Sequence, residues 1–115
     1  LTGAPAVDEI SDVEWESILG EFTERVNHFC KVMDVTVGRV TIRNQKTRWG
    51  SCSSKGNVNF DYQLYYMPRE LMDYVIIHEL SHRHHMNHSA EFWREVEKYC
   101  PAYRECRKKL RDYEI

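Results

Sequence analysis

The sequence predicts an α+β domain: an N-terminal helix, a small antiparallel sheet, and then further helices to the C-terminus. Three observations predict it. Apolar residues recur at helical spacing through Ile10, Val13, Ile18, Phe22, Val26, Phe29 and Met33. The period then drops to two between Val35 and Tyr62, where β-branched residues and turn chemistry dominate. Helical spacing returns after Pro68 and holds almost to the C-terminus.

Each element has its own signal. Ser11 followed by Glu14 has the capping-box spacing, so the first helix spans 11–33, with Gly20 a tolerated weak point. Val35–Arg43, Arg48–Ser53 and Asn57–Tyr62 read as strands. Ser53-Ser54-Lys55-Gly56 joins the last two as a hairpin, and Gly50 marks a bulge or a close backbone approach. Pro68 suits a first helical turn, and Leu71, Met72, Val75, Ile76 and Leu80 carry that helix over about 68–85. Asn87 is expected as a left-handed exit residue. Ser89 caps a helix over 89–99 that buries Phe92, Trp93 and Val96. Pro101 opens a fourth, over 101–112, with a basic outer face. Residues 1–9 read as a disordered lead-in or expression remnant, and 10–115 as the domain.

At 115 residues and 42% hydrophobic content, the chain has material for one core. Its net charge of −2 argues against a dedicated nucleic-acid binder. The charge is uneven: eight acids and two bases in 1–36, five bases and no acid in 37–56, and ten acids and nine bases in 57–115. No apolar run reaches membrane-spanning length, and no secretory signal is visible, so no membrane partner is expected. The four cysteines form no CxxC pair. They read as reduced, which points to a cytoplasmic protein.

The chemistry concentrates where five of the six histidines fall, between His78 and His88. Residues 78–82 read His-Glu-Leu-Ser-His. On a helix, His78 and His82 project to one side a turn apart and can grip one cation. Glu79 is turned by about 100°. It can reach a metal-bound water without ligating the metal, as a general base for hydrolysis must. A catalytic zinc wants three protein ligands and one open position. If the helix simply continued, His85 would sit about 10.5 Å along the axis from His78. Three nitrogens around one ion must lie within about 3–3.5 Å of one another. An unbroken helix therefore cannot use all three. His88 serves if the chain turns back after the helix; Glu91, Glu95 and His85 are the alternatives. His84 and His85 otherwise read as solvated helix-end residues, and His28 as a surface histidine.

The stretches Arg48-Trp49-Gly50-Ser51-Cys52-Ser53, Gly56-Asn57-Val58-Asn59, Tyr74-Val75-Ile76-Ile77-His78-Glu79-Leu80-Ser81-His82, Met86-Asn87-His88-Ser89 and Phe92-Trp93 resemble the YgjP-like metal-dependent hydrolases. That family is related to the SprT-like and WLM zincin peptidases. The resemblance covers about residues 10–112. It implies a zincin-like fold, His78, His82 and His88 as ligands of Zn2+, and Glu79 as catalytic base. It also implies a further N-terminal β-rich portion in the natural chain. The ligand spacing matches the metzincins too, but His85 stands where they carry a glycine.

Trp49 and Trp93 read as core anchors, and Cys52 as a small residue packed near the site. Arg48 could orient a substrate carboxylate or phosphate, or pair structurally. The strand Asn57–Phe60 is a candidate edge for binding an extended peptide. The leading function is a zinc-dependent, metallopeptidase-type hydrolase acting on peptides or proteins. One alternative, which the resemblance also implies, is pyrophosphate hydrolysis of a nucleoside triphosphate such as UTP at the same metal. Another is a non-catalytic, metal-stabilised binding module.

Overall fold

The computed structural model describes residues 3–45 and 47–113; Leu1 and Thr2 of the expected lead-in, and Lys46 of the basic block, lie outside them. Asp12–Met33 form helix α1. Ser11 Oγ accepts the Glu14 N–H at 3.1 Å, as the cap signal predicts. Only half of the capping box forms, because the Glu14 carboxylate accepts the Tyr66 hydroxyl instead. Ile18, Phe22, Val26, Phe29 and Met33 are buried, whereas Val13, one residue of the expected stripe, is 73% exposed. Asp34 ends the helix in the left-handed conformation, at φ 56°.

Three short strands follow: β1 (Val40–Arg43), β2 (Gly50–Cys52) and β3 (Val58–Asp61). Their order is β1-β3-β2. β3 pairs antiparallel with β2 and parallel with β1, so the sheet is mixed rather than antiparallel as expected. The reason is burial. Val58 and Phe60 are fully buried, which puts β3 at the centre, while β1 and β2 are only half covered. The excursion through β2 supplies the crossover that a parallel β1–β3 pair requires. Gly56, at φ 88°, closes the predicted hairpin by donating its N–H to the Ser53 carbonyl at 2.9 Å.

Tyr62–Tyr66 form a short 3-10 helix absent from the sequence reading. Three helices complete the chain: α2 (Arg69–Ser81), α3 (Ala90–Tyr99) and α4 (Tyr103–Asp112). α2 is the central element and packs against α1, α3, α4, β2 and β3. Its side chains are therefore buried on almost every face: Leu71, Met72, Tyr74, Val75, Ile76, Ile77 and Leu80. Phe22 of α1 stacks on Phe60 of β3 at 5.4 Å, tying the first helix to the central strand. Arg25 and Asp73 join α1 to α2 through two parallel bonds of 3.0 and 2.8 Å. The expected lead-in contains structure as well. Val7–Glu9 make a 3-10 turn, and the Tyr62 hydroxyl donates to the Pro5 carbonyl at 2.8 Å.

Asp61 closes β3 with only 1% of its surface exposed. Burial pushes its carboxyl up to about 6, against backbone N–H groups of Gln45, Tyr62 and Gln63 that stabilise the anion. The folded state thus holds this proton more tightly than the unfolded chain does. That contribution is complete below the unfolded value near 3.8 and is lost as pH rises through about 6. Between pH 4 and 7 the stability of Asp61→Asn relative to wild type is expected to rise by about 2–3 kcal/mol. Urea denaturation across that range measures it.

Candidate metal centre

The site is built where α2 ends. The helix stops at Ser81, four residues before the expected 85, with His82 as its C-cap. Ser81 gathers the exit: its carbonyl accepts the N–H groups of His84 and His85 at 3.1 and 3.0 Å, and its hydroxyl donates to the Ile77 carbonyl at 2.8 Å. Asn87 does not provide a left-handed exit. Among the described residues Asp34 is the sole non-glycine with positive φ, so the reversal is made by tight right-handed turns. That explains why His85 is tolerated where a metzincin has glycine.

The turn brings His88 back over α2. One ring nitrogen from each of His78, His82 and His88 lies within 4.8 Å of the other two. The Nε2 atoms of His78 and His88 face each other at 3.3 Å, the spacing expected of two ligands on one tetrahedral ion. Phe92, fully buried on α3, is the platform for all three rings. Its centroid lies 5.0 Å from His78, 4.5 Å from His82 and 4.9 Å from His88. Trp93 stacks on His88 at 5.8 Å. Ser89, whose Oγ accepts the Phe92 N–H at 3.3 Å, fixes the start of α3 and hence the place of both aromatics.

The other nitrogen of two rings is already engaged. His82 Nδ1 lies 3.1 Å from the His85 carbonyl, which can only accept, so Nδ1 carries the proton and Nε2 keeps its lone pair. His78 Nδ1 lies 3.1 Å from the Tyr74 hydroxyl. Such outer bonds fix the tautomer and ring angle of a ligating histidine. Burial, then the neighbouring imidazoles of His82 and His88, then Arg107, push His78 down to about 3. Burial also lowers His82, with the His85 carbonyl opposing and His88 adding to the fall. Both rings are therefore neutral donors at pH 7, as a cation needs. Two lone pairs aimed at one point in a desolvated setting fit a divalent ion better than a proton.

Glu79 is 6% exposed, and burial pushes its carboxyl up to about 8 against the pull of Arg48. With His78 it lines a cavity of about 390 Å³ bounded by Arg48, Trp49 and Gly50 on one side and Arg107, Leu110 and Arg111 on the other. Gly50 is the close approach that the sequence pointed to. A Cβ there would meet Val75 Cγ1 at 3.1 Å and Glu79 Cγ at 3.2 Å, so its absence lets β2 press against the acid.

The competing ligand candidates lie elsewhere. Glu95 bonds His84 at 2.9 Å, which makes His84 a clamp between the turn and α3 rather than a free helix end. Glu91 is paired with Arg94 at 3.4 Å. His85 contributes its carbonyl, and its ring is outside the triad. His28 is exposed against Phe29, and Cys52 is half-buried near Glu79, which helps to raise its thiol after burial. Trp49 is partly buried and also lines the cavity. Trp93 is likewise only partly buried and braces His88. β3 cannot be the peptide-binding edge, because both its sides are paired; the outer edge beside α2 belongs to β2.

Sequence reasoning missed four contributors. Tyr74 had a visible signal, an aromatic hydroxyl one turn before His78. The His85 carbonyl had none, since any residue has a carbonyl. Arg107 and Arg111 looked like an ordinary wet face, because nothing local says which neighbour a helix turns toward.

The comparisons with known proteins point the same way. A search of curated proteins finds no match. Among solved structures, the metallopeptidase zymogen abylysin of Pyrococcus abyssi is similar at a TM-score of 0.71 and 29% identity, covering 77% of this chain and 90% of that one. The zymogen jannalysin of Methanocaldococcus jannaschii shares the fold at a TM-score of 0.70 and 21% identity, over 80% of this chain and 95% of that one. The family profile described as YgjP-like, metallopeptidase domain, matches residues 5–113, so the chain belongs to that family and is a metallopeptidase-type domain whose family implies a divalent metal.

Proposed function

We propose that this chain is a zinc-dependent peptidase that activates water, with His78, His82 and His88 as metal ligands and Glu79 as general base. One observation carries the reading: the imidazoles of His78, His82 and His88 come together beside the buried carboxyl of Glu79, which with His78 lines a cavity. The donor set suits zinc: three imidazoles, two of them held by outer hydrogen bonds, would serve as its protein ligands. A zinc ion held there by His78, His82 and His88 would supply Lewis acidity for a carbonyl and for water.

The chain's own residues do the rest. A cation held beside it would draw the buried carboxyl to its anion, and Glu79 Oε would then take the proton from the attacking water and pass it to the departing amine, so one carboxyl serves as base and then as acid. Its burial keeps bulk water from competing for that proton. Tyr74 and the His85 carbonyl hold two ligand rings in place. An extended peptide adds to the open edge of β2. Trp49 and Ser53 bond to β3 through the Trp49 carbonyl and the Ser53 N–H, and the alternation turns the N–H and C=O of Gly50 and Cys52 outward.

Two outcomes test this. His88→Ala is expected to weaken zinc binding by more than about 100-fold, whereas His85→Ala, which keeps the carbonyl, retains it. Competition with a chelating dye reads both; equal retention would remove His88 from the ligand set. Glu79→Gln is expected to keep one equivalent of zinc and to lose about 10²- to 10⁴-fold in kcat/KM on a cleaved peptide. Wild-type turnover by that variant would dismiss Glu79 as the base.

A further inference from the structure

Resting on the peptidase reading above, we propose that Arg48, Arg107 and Arg111 select substrates carrying a carboxylate side chain, Asp or Glu, beside the scissile bond. Four of the five basic residues of α4 fall into two sets. Arg104 pairs with Glu97 at 3.7 Å and Lys109 with Glu70 at 3.6 Å, and neither lines the cavity. Arg107 and Arg111 do line it, and neither has an ion-pair partner among the described residues. They are one helical turn apart and so share a face. Arg48 lines the cavity as well and makes no ion pair among the described residues.

Three guanidinium groups therefore bound a cavity whose lining contains one carboxyl, that of Glu79. Arg107 is steadied over the Trp93 ring, its guanidinium carbon 4.5 Å from the centroid. A planar guanidinium is matched by a carboxylate through two parallel bonds. A lysine or arginine side chain at the same place would meet three like charges. A polyphosphate would also be attracted. But a nucleoside triphosphate is normally held with magnesium, through carboxylates and a glycine-rich loop, and the lining offers a single acid that the reaction already uses.

The test uses the full chain loaded with zinc and three matched peptide hydroxamates, chelators whose adjacent residue is Asp, Leu or Lys. Isothermal titration gives their affinities without any turnover. The Asp compound is expected to bind at least about tenfold more tightly than the Lys compound, with the gap narrowing as salt is added. Arg107→Glu/Arg111→Glu is expected to reverse that order. Arg107→Lys/Arg111→Lys keeps the order, and so does Arg104→Glu/Lys109→Glu, whose residues lie outside the cavity. All these positions are exposed, so the variants fold. A peptide library is then expected to show Asp or Glu enriched at one position flanking the cut. Hydroxamates that bind without side-chain preference overturn the arginine assignment and leave the metal reading standing. No binding by any hydroxamate to the zinc-loaded chain overturns the assignment too. A nucleoside triphosphate hydrolysed where peptides are not would reassign the arginines to phosphate and overturn both readings.

Discussion

A tetrahedral cation accepts three imidazole nitrogens only if they lie within about 3–3.5 Å of one another, and a helix rising 1.5 Å per residue supplies two such nitrogens but not three. On the proposed reading the fold works toward that condition: the three nitrogens lie within 4.8 Å of one another, and those of His78 and His88 at 3.3 Å. α2 must end at Ser81, the chain must reverse within a few residues, and α3 must start where Phe92 can seat all three rings. Had the helix run on, His85 would lie too far from His78 and His88 would have no route back.

That requirement explains the burial of α2. A helix whose polar end must be held to fractions of an ångström is packed by every other part of the fold, and its apolar residues face α1, the sheet and the two later helices. The small sheet has two duties. β3 anchors the core through Val58 and Phe60, while β2 brings Gly50 up against Glu79 and keeps an open edge beside the cavity. α4 completes the other wall with two arginines. Stability and chemistry are thus divided among strands and faces rather than mixed.

Much of this was legible in the sequence. Helix starts were clear because Ser11 and Ser89 announce themselves through backbone N–H capping. The three candidate ligands came from helix geometry together with the family resemblance, and the structure brings those three rings together. The misses have physical causes. Val35 to Arg39 has strand composition, but only Gly38 and Arg39 bond the neighbouring chain, to Gly56 and Val58, so β1 begins only at Val40. Strand direction depends on which strand is most buried, which local alternation does not encode. The exit from α2 looked as if it needed a left-handed residue, yet the Ser81 carbonyl, accepting two N–H groups, achieves it without one. Arg107 and Arg111 were invisible as site residues because the cavity exists only once α4 is docked.

The most direct measurement of the central claim is X-ray absorption at the zinc edge on the zinc-loaded protein. The account expects three imidazole nitrogens and one oxygen at about 2.0–2.1 Å, in four-coordinate geometry. A shell with two imidazoles, with a sulfur from Cys52, or with a carboxylate in the third place would contradict it.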